Sequence, residues 1–276
     1  MNTNILSRVN NLSPKPGSFW SEILFRIEIN LLPKRILATK TFWGQTFYVY
    51  SNDSCTKYIR RYGTLQKNEL PLIKFLIENV ESNAVFFDIG ANYGFYGTLV
   101  EEITDNAEIH CFEPPPDIIT LLKKNLRKSN SNAHQLAIGD YEGEASYNNT
   151  FRSGNSSLAN IQSASEGINN TTKIKVHISS LDTFCKTNSI PTIIKIDVEG
   201  NELAVLRGAA QLLKKYRPIL AIELWNDDVI IKDICTFMQK FNYKSYKLDE
   251  NGRPHHIHFA DIVKVIDGAY GNFIFM

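Results

Sequence analysis

Val85-Phe86-Phe87-Asp88-Ile89-Gly90-Ala91-Asn92-Tyr93-Gly94-Phe95-Tyr96 is the stretch from which the fold is read. Residues 85–87 are apolar without alternation, the pattern of a parallel strand covered on both faces. Asp88 then leads into a glycine-punctuated turn that opens a helix. A second apolar run, 109–112, ends in Glu113. Ligands of open α/β sheets sit where strand ends meet helix N-termini. The stretch therefore predicts a ligand site with a carboxylate at the tip of each of two adjacent strands.

Those acids weigh two ligands against each other. Glu113 falls 23 positions after Gly90, which suits an acid on a ribose hydroxyl in a dinucleotide site as well as in other nucleoside sites. The turn discriminates. A pyrophosphate needs glycine where Asn92 stands, and Asp88 would set a negative charge beside it. S-adenosylmethionine has no phosphate and carries an ammonium and a sulfonium, which suit an acid there. The residues favour the methyl donor over NAD.

Further blocks follow in order: Phe112-Glu113-Pro114, Ala137-Ile138-Gly139-Asp140 and Ile194-Lys195-Ile196-Asp197-Val198-Glu199-Gly200. Together with the first motif they make the chain similar to the FkbM family of S-adenosylmethionine-dependent methyltransferases, over residues 65–276. The resemblance implies a Rossmann-like, seven-stranded class I methyltransferase sheet, completed at its edge by strands at 243–248 and 270–275. It implies donor contacts from Asp88, Gly90, Ala91, Asn92, Gly94, Glu113, Pro114, Ala137 and Asp140, the last beside the adenine amine. It also implies O-methylation of a hydroxyl on a glycan or small-molecule acceptor. N-methylation, an NAD-dependent oxidoreductase and a non-catalytic module of the same fold are the alternatives.

The catalytic candidates follow from strand order. Asp197 and Glu199 lie just past one predicted strand (192–196), and Glu223 lies near the end of the next (219–224). Adjacent parallel strands put these acids on one rim. Transfer from a sulfonium is an in-line displacement governed by positioning, and a hydroxyl acceptor must also lose a proton. Lys195 is expected to orient the acceptor oxygen or hold a carboxylate ionised. Glu199 has helix capping as its plainer reading. A divalent metal on Asp197, Glu223 and Asp227 is chemically reasonable but not favoured. His255-His256-Ile257-His258 lacks acid or cysteine partners at zinc spacing and reads as a polar turn.

Composition narrows the classes. A formal charge of +1 over 276 residues argues against a dedicated nucleic-acid binder. The four cysteines form no C-x-x-C pair, no apolar run suffices for a membrane span, and the start lacks a signal-peptide pattern. A reducing cytoplasm is the expected setting.

Residues 1–64 read as an extension ahead of the methyltransferase domain. Residues 1–18 look like a mobile lead-in. From Phe19, the spacing of Trp20, Ile23, Leu24, Ile27 and Leu31 predicts an amphipathic helix stopped by Pro33. A hairpin pivots at Gly44-Gln45. Arg8, Lys15, Arg26, Lys34, Arg35 and Lys40 outnumber Glu22 and Glu28 over residues 1–40. The expectation is a helix packed on the catalytic domain or on a second subunit as a homodimer, with a membrane surface as the alternative. The polar stretch 141–172, with Gly154-Asn155-Ser156-Ser157-Leu158 within it, reads as a loop over the active site.

Overall fold

The computed structural model describes residues 3–14, 19–150, 157–158, 171–266 and 268–276. Its extension holds α1 (Thr3–Asn10), α2 (Phe19–Leu31), the antiparallel pair β1 (Ile36–Lys40) and β2 (Thr46–Tyr50), and α3 (Lys57–Tyr62). Then come α4 (Leu70–Asn79), β3 (Val85–Ile89), α5 (Phe95–Ile103), β4 (Glu108–Phe112), α6 (Pro116–Asn125) and β5 (Ser131–His134). A second sheet uses β6 (Ala137–Ile138), β7 (Gly143–Thr150), β8 (Ser157–Leu158) and β9 (Thr171–Ser179). The remainder is α7 (Leu181–Phe184), β10 (Ile193–Ile196), α8 (Glu202–Arg207), α9 (Ala210–Tyr216), β11 (Ile219–Trp225), α10 (Asp228–Gln239), β12 (Ser245–Leu248), β13 (Pro254–Ile257), α11 (Ile262–Val265) and β14 (Tyr270–Phe275).

The central sheet runs β13-β12-β14-β11-β10-β3-β4-β5. From β11 to β5 neighbouring strands are parallel, and β14 joins β11 antiparallel. The chain builds outward from β3 through β4 to β5, then returns to β10 on the other side of β3. The strand order thus reverses between β3 and β10, which is where open α/β sheets hold their ligands. The apolar runs behave as expected of doubly covered strands. Phe86 packs in the core under α4 and α5, while Phe87 and Ile89 pack in the core on the opposite face with Val205 and Leu206 of α8.

The fold is Rossmann-like as anticipated, with eight strands where seven were expected. The extra strand is β13, which pairs Pro254–Ile257 with Ser245–Leu248. The histidine-rich segment read as a turn is thus the sheet edge, with exposed side chains that leave no apolar signal. Residues 131–138 divide between β5 of the main sheet and β6 of the second. Residues 202–216 form two helices, α8 and α9, where Asp182 accepts from the Gln211 and Leu212 N–H groups (2.9 and 2.8 Å) and starts α9 afresh.

The stretch 141–172 holds more order than a loop. β7 pairs antiparallel with β9, and Ala145, Tyr147, Val176 and Ile178 form a small core. Most of the Gly154–Leu158 motif lies outside the described residues. Residues 3–10 are also more than a lead-in: α1 buries Ile5 and Val9 in the main core, beside α4.

Candidate active site

The turn after β3 is shaped by contact with the turn after β10. Gly90 has φ +79, and a Cβ there would lie 1.7 Å from the Asp197 carbonyl oxygen. The Asp197 N–H donates to the Ile89 carbonyl at 3.0 Å. Only glycine permits this approach. Asn92 also takes a left-handed φ of 50°, and its N–H donates to Glu113 Oε2 at 2.7 Å. The first turn and the acid at the tip of β4 are therefore locked together.

Two clefts open at this rim. The first has about 1110 Å³ of empty space including its mouth. It is walled by Glu113 and Pro114 after β4, by Leu136, Ala137 and Ile138 at β6, and by Ile118 of α6. An acid at a strand tip beside an apolar slot suits a nucleoside-bearing ligand. Two polar atoms of its walls, Asp117 Oδ1 and Asn201 Nδ2, are buried without hydrogen-bond partners. Buried groups normally have partners, so one acceptor and one donor stand ready for a polar ligand. Burial pushes the Glu113 carboxyl up to about 8, against the opposing Asn92 hydrogen bond.

The second cleft is about twice as large and lies on the other side of the Asn92–Tyr93 turn. Lys195, Asp197, Glu199 and Glu223 all border it, with Glu69 and the rings of Tyr58, Tyr96, Trp225 and Tyr270. The Lys195 ammonium donates to Asp197 Oδ2 at 2.8 Å and lies 5.0 Å from the Tyr96 ring. Burial by itself would lower the Lys195 pKa, but Asp197, Asp88 and Glu223 outweigh it and raise it. Burial raises Glu223 well above the carboxylate range, helped by Asp197 and Glu69. Glu69 is raised by burial too, although Tyr96 donates to its Oε2 at 2.6 Å and Asn272 at 3.0 Å. Burial and then Asp197 push Glu199 up to about 9.

The clefts share Gly90, Asn92, Tyr93, Asp197 and Glu199. Glu199 sits there at φ 53°, a conformation that costs a non-glycine residue energy and is typical of functional positions. It does not cap α8. Glu202, the first residue of α8, instead ties down the preceding turn, its Oε1 accepting from the Gly200 N–H at 3.0 Å. Asp227 caps α10 through the Val229 and Ile230 N–H groups. Among the described residues, no group of three or more His, Cys, Asp or Glu side chains is disposed to hold a metal ion.

Of the expected donor residues, Gly90, Asn92, Glu113, Pro114 and Ala137 line the first cleft, and Ala91 borders the second. Asp88, Gly94 and Asp140 line neither. Asp88 sits opposite Lys195 in the β3–β10 register and is 1% exposed. Burial pushes it up to about 6. Its oxygens make no hydrogen bond of normal geometry, the Gly97 N–H offering only a weak contact. Gly94 starts α5, and Asp140 is exposed. Asp53 was missed: it follows β2, lines the first cleft and accepts from the Tyr93 hydroxyl at 2.7 Å.

Residues 88–245 match the profile of the Methyltransferase FkbM domain. The chain belongs to the FkbM methyltransferase family. Among curated proteins, the chain is 26% identical over 152 residues to the hexuronic acid methyltransferase AglP of Haloferax volcanii. That match covers 54% of this chain and 59% of the relative, so the chain spans about three-fifths of the relative's length. Among solved structures, the methyltransferase FkbM from Methylobacillus flagellatus KT has 18% identity and a TM-score of 0.49, over 81% of this chain and 48% of that one. The M. jannaschii protein TYW2, solved in complex with AdoMet, has 9% identity and a TM-score of 0.43, over 88% and 86%.

Proposed function

We propose that this FkbM methyltransferase moves the methyl group of S-adenosylmethionine onto a hydroxyl of a glycan, with a hexuronic acid residue as the preferred acceptor. The observation that carries this reading is the meeting of two clefts at Asn92, Tyr93, Asp197 and Glu199. One cleft has the chemistry of a nucleoside site, so the point of meeting is where two bound molecules would exchange a group.

Glu113 and the Asn92 turn would hold the donor's ribose, and Ala137, Ile138 and Ile118 would flank its adenine. When bound, the donor supplies a methyl carbon activated by its sulfonium. The acceptor oxygen must be aligned with that carbon and give up its proton. Asp197, which borders both clefts, is the base assigned to that proton. Lys195, held as an ammonium, orients Asp197 through the 2.8 Å hydrogen bond.

The acceptor cleft suits a sugar. Tyr58, Trp225 and Tyr270 offer ring faces to apolar C–H surfaces. Glu199 and Glu223, kept neutral by burial, both donate to and accept from hydroxyls. Neutral acids also spare a uronate the repulsion that ionised ones would impose. Arg26 and Lys57 add positive charge at the cleft wall. The hexuronic acid named for the H. volcanii relative has this chemistry.

The test is methyl transfer from labelled S-adenosylmethionine to three acceptors: a hexuronic-acid oligosaccharide, a neutral oligosaccharide and an amine. Turnover is expected on the first. Asp197→Asn should lower it by roughly 10²-fold or more with donor affinity little changed. Transfer to the amine alone, or undiminished turnover by Asp197→Asn, overturns the reading.

A further inference from the structure

Glu69 immediately precedes α4, outside the residues that match the family profile, yet it borders the acceptor cleft with Lys195, Asp197 and Glu223. It is 6% exposed. Its two oxygens stand in different surroundings. Oε2 accepts from the Tyr96 hydroxyl at 2.6 Å and from Asn272 Nδ2 at 3.0 Å. Oε1 is buried without a hydrogen-bond partner, and the Tyr270 hydroxyl offers the carboxyl only a weak contact.

This asymmetry decides where a proton goes. An ionised carboxylate with one oxygen buried and bare would carry a large desolvation cost. Protonation removes that charge. Oε2 already takes two donors, so the hydrogen belongs on Oε1. Burial, the largest influence on Glu69, raises its pKa against the Tyr96 hydrogen bond and the Lys195 charge, in keeping with a neutral acid. Glu69 therefore stands in the cleft wall as an O–H donor whose other oxygen is occupied. Buried donors normally have partners, and this one has none within the chain.

We propose that Glu69 is the residue that selects the acceptor, donating its O–H to the carboxylate of the sugar. The proposal rests on the hexuronic-acid reading and names the side chain that recognises the acid group. A side chain left able only to donate is best matched by a group that only accepts, and an ionised carboxylate is such a group whereas a hydroxyl is not. Hydrogen bonds to an ionised oxygen are also about twice as strong as those between neutral groups. Glu199 and Glu223, free to donate and accept, are left for the hydroxyls. A merely supporting role would show differently. Glu69 also holds Tyr96, whose ring lies 5.0 Å from the Lys195 ammonium, so a support would affect transfer to every acceptor alike.

The experiment compares a hexuronic-acid oligosaccharide with the same oligosaccharide after its carboxylates are reduced to primary alcohols. The unaltered enzyme should show the lower KM for the uronate form. Glu69→Met, which keeps the length and loses the donor, should raise KM for the uronate form by roughly tenfold or more relative to the reduced form, with kcat on the two changing in parallel. Glu69→Gln, whose amide N–H takes the place of the O–H, should restore most of the preference. Should Glu69→Met fail to melt cooperatively or to bind the donor, Glu69→Asp, which withdraws the acid by one methylene, carries the same expectation. Equal losses on both sugars, or an unaltered preference, overturn the proposal and leave the hexuronic-acid reading standing. Failure of the unaltered enzyme to methylate the uronate form, or to prefer it, overturns that reading and the proposal with it.

Discussion

Glu113 joins a role in the fold to the ligand contact proposed for it. It is 7% exposed, and its Oε2 fixes the left-handed Asn92 turn. Burial raises its carboxyl to about 8 before any ligand binds. Ribose hydroxyls donate to a carboxylate more strongly than to a neutral acid, so donor binding must release a proton below that pH. Affinity should therefore rise with pH, by at most about tenfold per unit, and level off above about 8. Calorimetry across the neutral range checks this. Glu113→Gln should bind more weakly and lose the slope, and a flat profile in the unaltered protein would remove Glu113 from the ribose contact. Asp88, by contrast, faces Lys195 in register and borders neither cleft. A motif places an acid at a strand end, but the pleat decides which face of the sheet it serves.

The hairpin β1–β2 is tied to the rest of the fold through Asn125 at the end of α6. Asn125 Oδ1 accepts from the Tyr48 N–H at 2.7 Å, and its Nδ2 donates to the Tyr48 and Tyr93 carbonyls at 3.0 and 2.8 Å. This fully buried amide acts as a short edge for β2, while Phe47 and Val49 enter the main core. Asn125→Ala should cost roughly 1–3 kcal/mol by stranding buried backbone groups, read as a lower urea midpoint, with weaker donor binding because Tyr93 shifts. An unchanged midpoint would show the hairpin to be self-supporting. Elements with strong apolar patterns, β3, β4, β10 and β11, were legible in the sequence. β7 was not, because its described core side chains are only Ala145 and Tyr147 amid polar residues. The orientation of α2 was illegible for a different reason: ion pairs of Glu22 and Glu28 to α3 hold its charged edge, so that the stripe of Trp20, Leu24, Ile27 and Leu31, expected against protein, faces solvent.

At the scale of the whole molecule, the buried acids make stability depend on pH with a definite sign. Glu113 and Glu199 titrate at about 8 and about 9 in the folded chain, and Glu69 and Glu223 are also raised, in each case chiefly by burial. Unfolded, all four would titrate near their ordinary value of about 4.3. Between those limits the folded state binds more protons than the unfolded one, so stability is lost as pH rises and levels off only above the folded values. Burial of Cys185 and Cys235 raises their thiols to about 12 and about 11, which acts in the same direction at the alkaline end. His134 opposes this: burial lowers it to about 4, so it adds stability as pH rises, but only up to its ordinary value of about 6.5. Above that point the acids act alone. The melting temperature of the ligand-free protein should therefore fall steadily from about pH 6.5 to about pH 8.5. Glu199→Gln, which keeps the neutral shape and removes one titration, should make the fall shallower and stabilise the protein most at the alkaline end. A melting temperature that holds or climbs across this window would mean that the acids around Asp197 are ionised in the folded state. The acceptor cleft would then repel a uronate rather than admit it.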